Sequence, residues 1–169
     1  KIINHLENNY KKFIKKYNNG SSKSSINIGI IKGGENVNVV PHITSFQIDR
    51  RITIKENINN SFKEIKNFIK RIDKSAKIKF LTGTNAFKSN KSNLYLKNLI
   101  KSYCLVKNRK PKFLNSIGVS DGRYFSNEKV NIINIGPGDG EQGHKSNEAL
   151  KINDLTDYFM ILKNFLNFI

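Results

Sequence analysis

The apolar residues of the first 82 positions change period several times, and this change constrains the fold more than any other feature. Where they recur every three or four residues they predict an amphipathic helix, and where they alternate with polar residues they predict a half-buried strand. Helices are predicted at 1–18 and 57–72, and strands at 26–31, 37–54 and 77–81. The order is therefore helix, strand, strand, helix, strand.

That order is typical of a β-α-β-β-α-β sandwich that lacks its first strand. We therefore expect the complete arrangement to need a strand from before Lys1. The second strand contains one exception, because Arg50 falls on the apolar parity of Phe46 and Ile48. The residues between these apolar positions are polar, as a half-buried strand requires.

The rest of the chain predicts a second region of α/β type. Residues 83–93 are polar and rich in turn formers, so we place the domains at 1–82 and 83–169. Helices are predicted at 93–104 and from a cap at Asn153 or Asp154, a helical turn at 121–126, and strands at 112–115 and 130–135. The residues expected to pack inward from the last helix are Leu155, Phe159, Leu162, Phe165 and Leu166.

The net charge of +17 and the pI of about 10.0 raise the hypothesis of nucleic-acid binding, which the details oppose. The 30 basic residues are 25 Lys and 5 Arg, although Arg makes most bidentate phosphate and base contacts. The aromatic residues of the Lys-rich helices lie on their apolar faces. We therefore expect a solvated Lys-rich surface, with a nucleic-acid-binding module as the lesser alternative.

Cysteine and hydropathy restrict the setting. A single cysteine, Cys104, excludes an internal disulfide and a Cys-based zinc cluster. No apolar run approaches the roughly 18 residues that span a bilayer, and the first residues do not resemble a secretory signal. We therefore expect a cytoplasmic protein without a membrane partner.

Three clusters of glycines and polar residues are candidates for chemistry. The first is the loop Gly136-Pro137-Gly138-Asp139-Gly140 with the downstream His144. An imidazole near acidic residues is a zinc ligand in many proteins, whereas a lone loop histidine is more often a surface hydrogen-bonding group. The loop lacks the Gly-Lys-Ser/Thr of a phosphate-binding loop.

The other two clusters have a structural and a functional interpretation each. Ser120-Asp121-Gly122-Arg123 is either a capped helical turn with a local ion pair or a functional group of hydroxyl, acid and arginine. Asn38, Asp49 and Arg51 follow Gly33-Gly34. They are either a hairpin connection with an exposed salt bridge or an anion clamp, in which Arg51 binds a carboxylate and Asn38 assists.

In this order, the clusters resemble the C-terminal half of the di-zinc amidohydrolase and peptidase family, which includes acetylornithine deacetylase, succinyl-diaminopimelate desuccinylase, aminoacylase and carboxypeptidase G. The matching pieces are Gly33-Gly34, Asn38-Val39-Val40-Pro41, Asp49-Arg50-Arg51, Ser120-Asp121-Gly122-Arg123, Gly136-Pro137-Gly138, His144 and Asn147-Glu148. The resemblance implies that residues 1–82 are an α+β lid of ferredoxin-like type, lacking its first strand, that pairs in a homodimer. Residues 83–169 would be the C-terminal part of the zinc-peptidase α/β catalytic domain.

The resemblance also implies a reaction. Two divalent metals, zinc with cobalt or manganese as alternatives, activate a water that attacks the amide of an N-acyl amino acid or small peptide. Such deacetylases and desuccinylases serve amino-acid biosynthesis. The implied roles are metal binding for His144, substrate binding for Arg51, Asn38, Gly118 and Val119, and support behind the site for Asp121 and Glu148.

Several parts of the family pattern have no match in this chain. The remaining metal ligands, the general base and the lid histidine are missing, and neither His5 nor His42 matches the last of these. We therefore predict no catalytic residue in this chain, a missing N-terminal catalytic half that is in the same chain, in a separate gene or lost, and no hydrolysis by these 169 residues alone. The alternative is a non-catalytic dimerisation protein derived from the lid.

Overall fold

The computed structural model describes residues 1–116, 118–125, 130–138, 140, 142–143 and 145–169. Its main elements are α1 (Ile2–His5), α2 (Lys11–Phe13), β1 (Ser25–Gly33), β2 (Thr44–Arg51), α3 (Ile58–Lys70), α4 (Leu94–Lys107) and α5 (Ile152–Leu166). They form two compact units, residues 1–87 with 115–119 and residues 88–114 with 120–169. The assignment of a lid at 1–82 and a catalytic part at 83–169 stays a prediction.

The N-terminal helical segment, residues 2–17, is continuous but not uniform. A π-helical turn at Leu6–Tyr10 joins α1 to α2, and a 3-10 turn at Ile14–Tyr17 ends the segment. Its fully buried residues are Leu6, Tyr10 and Ile14. Residues four apart drift around a regular α-helix of 3.6 residues per turn, and the wider π-helical turn offsets this drift. The predicted helix at 1–18 is confirmed.

An antiparallel hairpin follows. Ser25 lies opposite Arg51 at its base, and Gly33 lies opposite Thr44 at its far end. An irregularity at Gly29 shifts the register by one residue, as a β-bulge does. The predicted strand at 26–31 and the second half of the one at 37–54 are therefore confirmed.

The core of the first unit lies between the N-terminal helical segment, the hairpin and α3. The Asn57 side chain caps α3 by accepting the N–H groups of Asn59 at 3.0 Å and Asn60 at 3.3 Å. The buried apolar residues are Leu6, Tyr10, Ile14, Ile26, Ile65 and Ile69. The helix predicted at 57–72 is thus confirmed.

The second unit is built on α4 and α5. The Asn93 side chain caps α4 through the N–H of Leu96 at 3.2 Å, and Asn108 ends the helix in the left-handed region with φ 50°. Leu96 and Leu99 are buried against Ile161 of α5. The helix predicted at 93–104 is confirmed, as is the turn near 121–126, where a 3-10 helix spans Asp121–Phe125.

The strands predicted at 77–81, 112–115 and 130–135 are wrong, because the hairpin is the only sheet in the described residues. A strand needs a hydrogen-bonded neighbouring strand, whereas segment 130–135 bonds to residues 89 and 90, which are not in a strand. The Ile132 carbonyl accepts the Ser89 hydroxyl, and the Asn131 side chain accepts the N–H of Asn90 at 2.6 Å. The fold is therefore a mixture of helices and a small antiparallel sheet, which is compatible with an α/β class.

The last helix also differs from its prediction. Lys151 occupies the N-cap without a side-chain bond, so Asn153 and Asp154 lie inside the helix. Of the residues expected inward, Leu155, Phe159 and Leu166 are exposed, at 52%, 62% and 63%. The reason is that α5 packs mainly on α4, and one neighbouring helix covers only one stripe of it. No helix in the described ranges is long and apolar enough to cross a membrane.

Candidate functional site

A buried ion pair holds the base of the hairpin, where β2 ends. Arg50 Nη2 donates to the Glu56 carboxylate, and the two side chains are only 9% and 1% exposed. Glu56 also accepts the N–H of Thr53 at 2.9 Å and the hydroxyl of Ser24. Arg50 Nη1 donates to the carbonyl of Arg51. Both buried charges are thus hydrogen-bonded, as a buried pair requires if it is not to destabilise the fold.

This pair explains why Arg50 breaks the apolar parity of its strand. Arg50 lies opposite the buried Ile26, and its Nε is 3.4 Å from the Tyr10 hydroxyl inside the core. Glu56 was not singled out from the sequence, because it lies six positions further along in an ordinary turn. The only sign of a nearby buried acid in the sequence was that Arg50 falls on the apolar parity of its strand.

Two tyrosines of the N-terminal helical segment adjoin this cluster. The Tyr17 hydroxyl donates to Glu64 Oε1 at 2.5 Å, and this bond, followed by burial, raises the pKa of Tyr17 to about 12. Burial raises the pKa of Tyr10, and the neighbouring Arg50 guanidinium opposes the rise. Both hydroxyls therefore stay protonated near neutral pH.

Arg51, the predicted carboxylate binder, points away from the core on the other parity of β2. Its Nε donates to Asp49 Oδ2 at 2.7 Å, and the two side chains are 42% and 54% exposed. One of the two interpretations of this cluster predicted an exposed salt bridge between Asp49 and Arg51, and that salt bridge is present. The role of Arg51 in binding substrate stays a prediction.

Asn38 is not brought to Arg51. It lies exposed in the loop between the strands, next to the Gly33–Thr44 end of the hairpin, whereas Arg51 lies at the base. Seven strand residues separate the two ends, which is about 24 Å at roughly 3.4 Å per residue. A clamp in which Arg51 and Asn38 hold one carboxylate is therefore not formed within one chain.

The other predicted site residues lie on loops and turns. Gly118 donates its N–H to Ser116 Oγ at 3.2 Å, and Val119 is 57% exposed. Asp121 begins the 3-10 helix, and Glu148 donates its N–H to the Lys145 carbonyl at 3.2 Å. His144, the predicted metal ligand, lies outside the described residues. The roles proposed for these positions stay predictions.

The donor set for a metal is incomplete in the described part of the chain. There, no group of three or more His, Cys, Asp or Glu side chains converges. The described residues therefore do not fit a metal centre by themselves, and no reaction step is derived through one.

A second charged cluster joins α4 to α5. Lys107 Nζ lies 2.6 Å from Asp157 Oδ2 and 3.6 Å from Asp154 Oδ1. The bond to Asp157 raises the pKa of Lys107, and the charge of Asp154 adds to the rise. These three side chains line a small cavity that the backbone of 136–138 also borders. Since Lys107 is already neutralised by two carboxylates, the cluster holds the helices together.

Comparison with protein families gives a match over residues 1–77, to the peptidase dimerisation domain. The match covers the hairpin, the buried Arg50–Glu56 pair and the exposed Asp49–Arg51 pair. No solved structure matches the chain.

Curated relatives match over most of the chain. It is 27% identical over 159 residues to the [LysW]-lysine/[LysW]-ornithine hydrolase of Sulfurisphaera tokodaii, which covers 93% of this chain and 44% of the relative. The corresponding hydrolase of Saccharolobus solfataricus is 27% identical over 79% of this chain and 37% of its own length. The succinyl-diaminopimelate desuccinylase of Buchnera aphidicola subsp. Acyrthosiphon pisum (strain Tuc7) is 30% identical over 85% of this chain and 39% of its own length.

The chain thus spans about two-fifths of the length of these relatives, at 37–44%. All of them are hydrolases, and the family is generally metal-dependent. The N-terminal match and the relatives agree with the resemblance noted in the sequence. Residues 1–77 therefore belong to the peptidase dimerisation domain family, and the chain is similar over most of its length to hydrolases that are members of the amidohydrolase and peptidase family.

Proposed function

We propose that this chain supplies the dimerisation domain and the C-terminal catalytic segment of a metal-dependent amidohydrolase. The observation that carries the proposal is the match of residues 1–77 to the dimerisation domain. In addition, hydrolases align with up to 93% of the chain. The domain also supports a homodimer. The proposed reaction is hydrolysis of the amide bond of an N-acyl amino acid or small peptide.

The names of the relatives narrow the proposed substrate. They refer to lysine, ornithine and diaminopimelate, and each of these amino acids carries two amino groups. An acylated diamino acid presents an amide to be cleaved and retains a charged carboxylate. We therefore propose an acylated diamino acid as the substrate class.

Each predicted site residue has a part in this proposal. Arg51 pairs with the substrate carboxylate, and its exposed guanidinium supports that role. His144 is one metal ligand, for zinc or alternatively cobalt or manganese. Gly118 and Val119 contact the substrate, and Asp121 and Glu148 support the site from behind. Because Asn38 lies toward the opposite end of the hairpin from Arg51, its contact with the same substrate would come from the second subunit of the dimer. Metals held by His144 together with ligands from outside this chain would supply an activated water as nucleophile.

We further propose that the chain alone does not hydrolyse amides. It spans only 37–44% of the length of the hydrolases it matches. The general base and the other metal ligands would come from polypeptide outside this chain. Purified chain with added zinc should therefore leave N2-acetyl-L-ornithine and N-succinyl-L,L-diaminopimelate intact.

A fusion protein tests the positive half of the proposal. The segment of the Buchnera desuccinylase that precedes its aligned region is fused to this chain, and hydrolysis of N-succinyl-L,L-diaminopimelate is measured with zinc. The positive control is the same segment with its own C-terminal part. We expect hydrolysis by the fusion and loss of it in the His144→Ala variant. A folded, dimeric fusion without hydrolysis, beside an active control, would identify a non-catalytic dimerisation protein instead.

A further inference from the structure

We propose that the first unit contains a binding site for one added β-strand, between β2 and the extended segment 77–82. The occupant is a strand of polypeptide outside this chain, with apolar side chains at alternate positions. The inference rests on the proposed function for the source of that strand, because the proposed function places the rest of the enzyme outside this chain.

The first support is the segment 77–82 itself, which has the side-chain pattern of a strand without its hydrogen bonds. Ile78 is half-buried against the core of the first unit, and its neighbours Lys77 and Lys79 are exposed. No backbone N–H or carbonyl of 77–82 makes a hydrogen bond to any residue that the structure describes. Main-chain groups beside a core are nearly always paired in a complete fold, so this segment lacks a neighbour.

The second support is the path of this segment along α3. Phe80 packs edge-on against Phe62 of α3, with ring centroids 5.3 Å apart, and Asn85 Oδ1 accepts the N–H of Ile58 at 2.9 Å. The chain therefore runs back from the end of α3 to its start. Since β2 ends shortly before α3 begins, the segment runs in the same direction as β2. Two parallel strands joined by a helix form a crossover unit, and both belong to one sheet.

The third support is the free edge of β2. Among the described residues β1 is the only strand paired with β2, so the main-chain groups on the other edge have no strand to bond. If β2 and the segment 77–82 were adjacent in a sheet they would bond to each other, and they do not. One strand between them would pair with both, as in a split β-α-β arrangement.

The chemistry of the two sides defines the occupant. Phe46 and Ile48 of β2 pack on the same core as Ile78, so a strand between them must also direct apolar side chains toward the helices. Main-chain hydrogen bonds on both of its edges give affinity, and the alternating side chains give specificity. The chain spans 37–44% of the length of its relatives, and polypeptide outside it is the proposed source of the strand.

Hydrogen exchange of the 169-residue chain, followed by NMR, tests the inference with a synthetic strand. The probe is a peptide as long as β2, eight residues, in which valine and threonine alternate. The control is the same peptide with every second amide N-methylated, which keeps the side chains and removes the donors of one edge. We expect the probe to slow exchange along 77–82 and β2 by at least about tenfold, the effect of one net hydrogen bond. The control should leave exchange unchanged.

Two double variants locate the site. Lys79→Pro with Phe80→Pro removes two consecutive N–H groups, so one of them faces the added strand whichever way the segment is turned. The protection by the probe should be lost in this variant. Lys79→Ala with Phe80→Ala removes the same side chains but retains both N–H groups, so the protection should remain. Unchanged amide spectra of β2 and α3 establish that each variant is folded.

The fusion of the Buchnera segment with this chain tests the source of the strand. If that segment supplies the strand, residues 77–82 should exchange at least about tenfold more slowly in the folded fusion than in the chain alone. The free chain provides the reference rate under the same conditions.

Other results would overturn the inference. These are no effect of the probe, equal effects of the probe and its N-methylated control, and protection of β1 in place of β2. Slow exchange of 77–82 in the chain alone that depends on protein concentration would mean that a second copy already fills the site. The outcome is separable from the assay of hydrolysis. Hydrolysis by a fusion with unprotected 77–82 refutes only the strand site, and protection without hydrolysis refutes only the proposed enzyme.

Discussion

The two compact units bury their apolar residues to very different extents. The first closes a core of six buried residues between two helical segments and a hairpin. Among its described residues, the second buries only three apolar side chains, Leu96, Leu99 and Ile161, and α5 leaves Phe159 and Leu166 mostly exposed. Helical periodicity predicted helices in both units. The difference shows that periodicity predicts the helix, whereas burial depends on how many neighbours the helix has.

The ion pairs differ in the same way. Arg50 and Glu56 are almost fully buried, at 9% and 1% exposure, and every charge is hydrogen-bonded. Lys107 and Asp157 of the second unit keep 22% and 36% of their side-chain surface. Solvent screens the second pair and not the first, so the first should control stability far more strongly.

The largest expected effect is on the buried pair. Glu56→Ala leaves the Arg50 guanidinium uncompensated inside the core, which should lower the free energy of unfolding by about 3–5 kcal/mol. Urea denaturation measures the loss. Removing Glu7, whose pair with Lys11 is exposed, should cost only about 0.3–0.5 kcal/mol. Similar losses from the two changes would contradict the contrast between buried and exposed pairs.

The next effect compares one leucine from each unit. Leu6 is fully buried and Leu155 is 52% exposed. Leu6→Ala should therefore cost about 2–5 kcal/mol through the cavity it leaves, and Leu155→Ala should stay within about 0.5 kcal/mol. Thermal unfolding followed by circular dichroism measures both. A large loss for Leu155→Ala would mean that α5 is buried in solution.

A third prediction concerns pH and the first unit. The pKa of Tyr17 is raised from 10.0 to about 12 in the folded protein. The folded state therefore holds this proton more tightly than the unfolded state, and the resulting stability is present below about pH 10 and lost as pH rises to about 12. Unfolding free energies measured across this range should fall less steeply in Tyr17→Phe. Parallel curves for the variant and the wild type would count against the Tyr17–Glu64 bond.

The smallest expected effect on stability is at the exposed stripe of α5. Phe159 is 62% exposed, so Phe159→Lys should change the unfolding free energy by less than about 0.5 kcal/mol. It should nevertheless reduce self-association, because it interrupts an apolar patch. Asn67→Lys adds the same charge at an exposed position of another helix, α3, and serves as the control. Light scattering that falls equally in both variants would attribute the effect to charge alone.

Much of the first unit could be predicted from the sequence. The spacing of Leu6, Tyr10 and Ile14 and the alternation around Ile48 identified its helix and strand, because burial on one face imposes a period on the chain. The strand predicted around Ile78 failed for a related reason. The Ile78 side chain packs against the core, but side-chain burial does not provide the hydrogen-bonding neighbour that a strand needs.

The candidate site was likewise predictable from the sequence only in part. The sequence indicated that Arg51 is available to an anion, because its parity opposes that of the apolar residues. It could not show that Asn38 lies at the far end of the hairpin, since that distance depends on the register of two strands. Nor could it show that Arg50 meets Glu56, because a turn had to bring them together.

The sequence by itself determined the family, the helices, the hairpin strands and the parity that separates Arg50 from Arg51. These properties depend on residue order, local spacing and resemblance. Tertiary structure alone decided that Glu56 neutralises Arg50, that Asn38 lies toward the opposite end of the hairpin from Arg51, and that α5 keeps an exposed apolar stripe. Hydrogen-bond partners and burial are properties of pairs of segments, and no single segment of sequence contains both members of the pair.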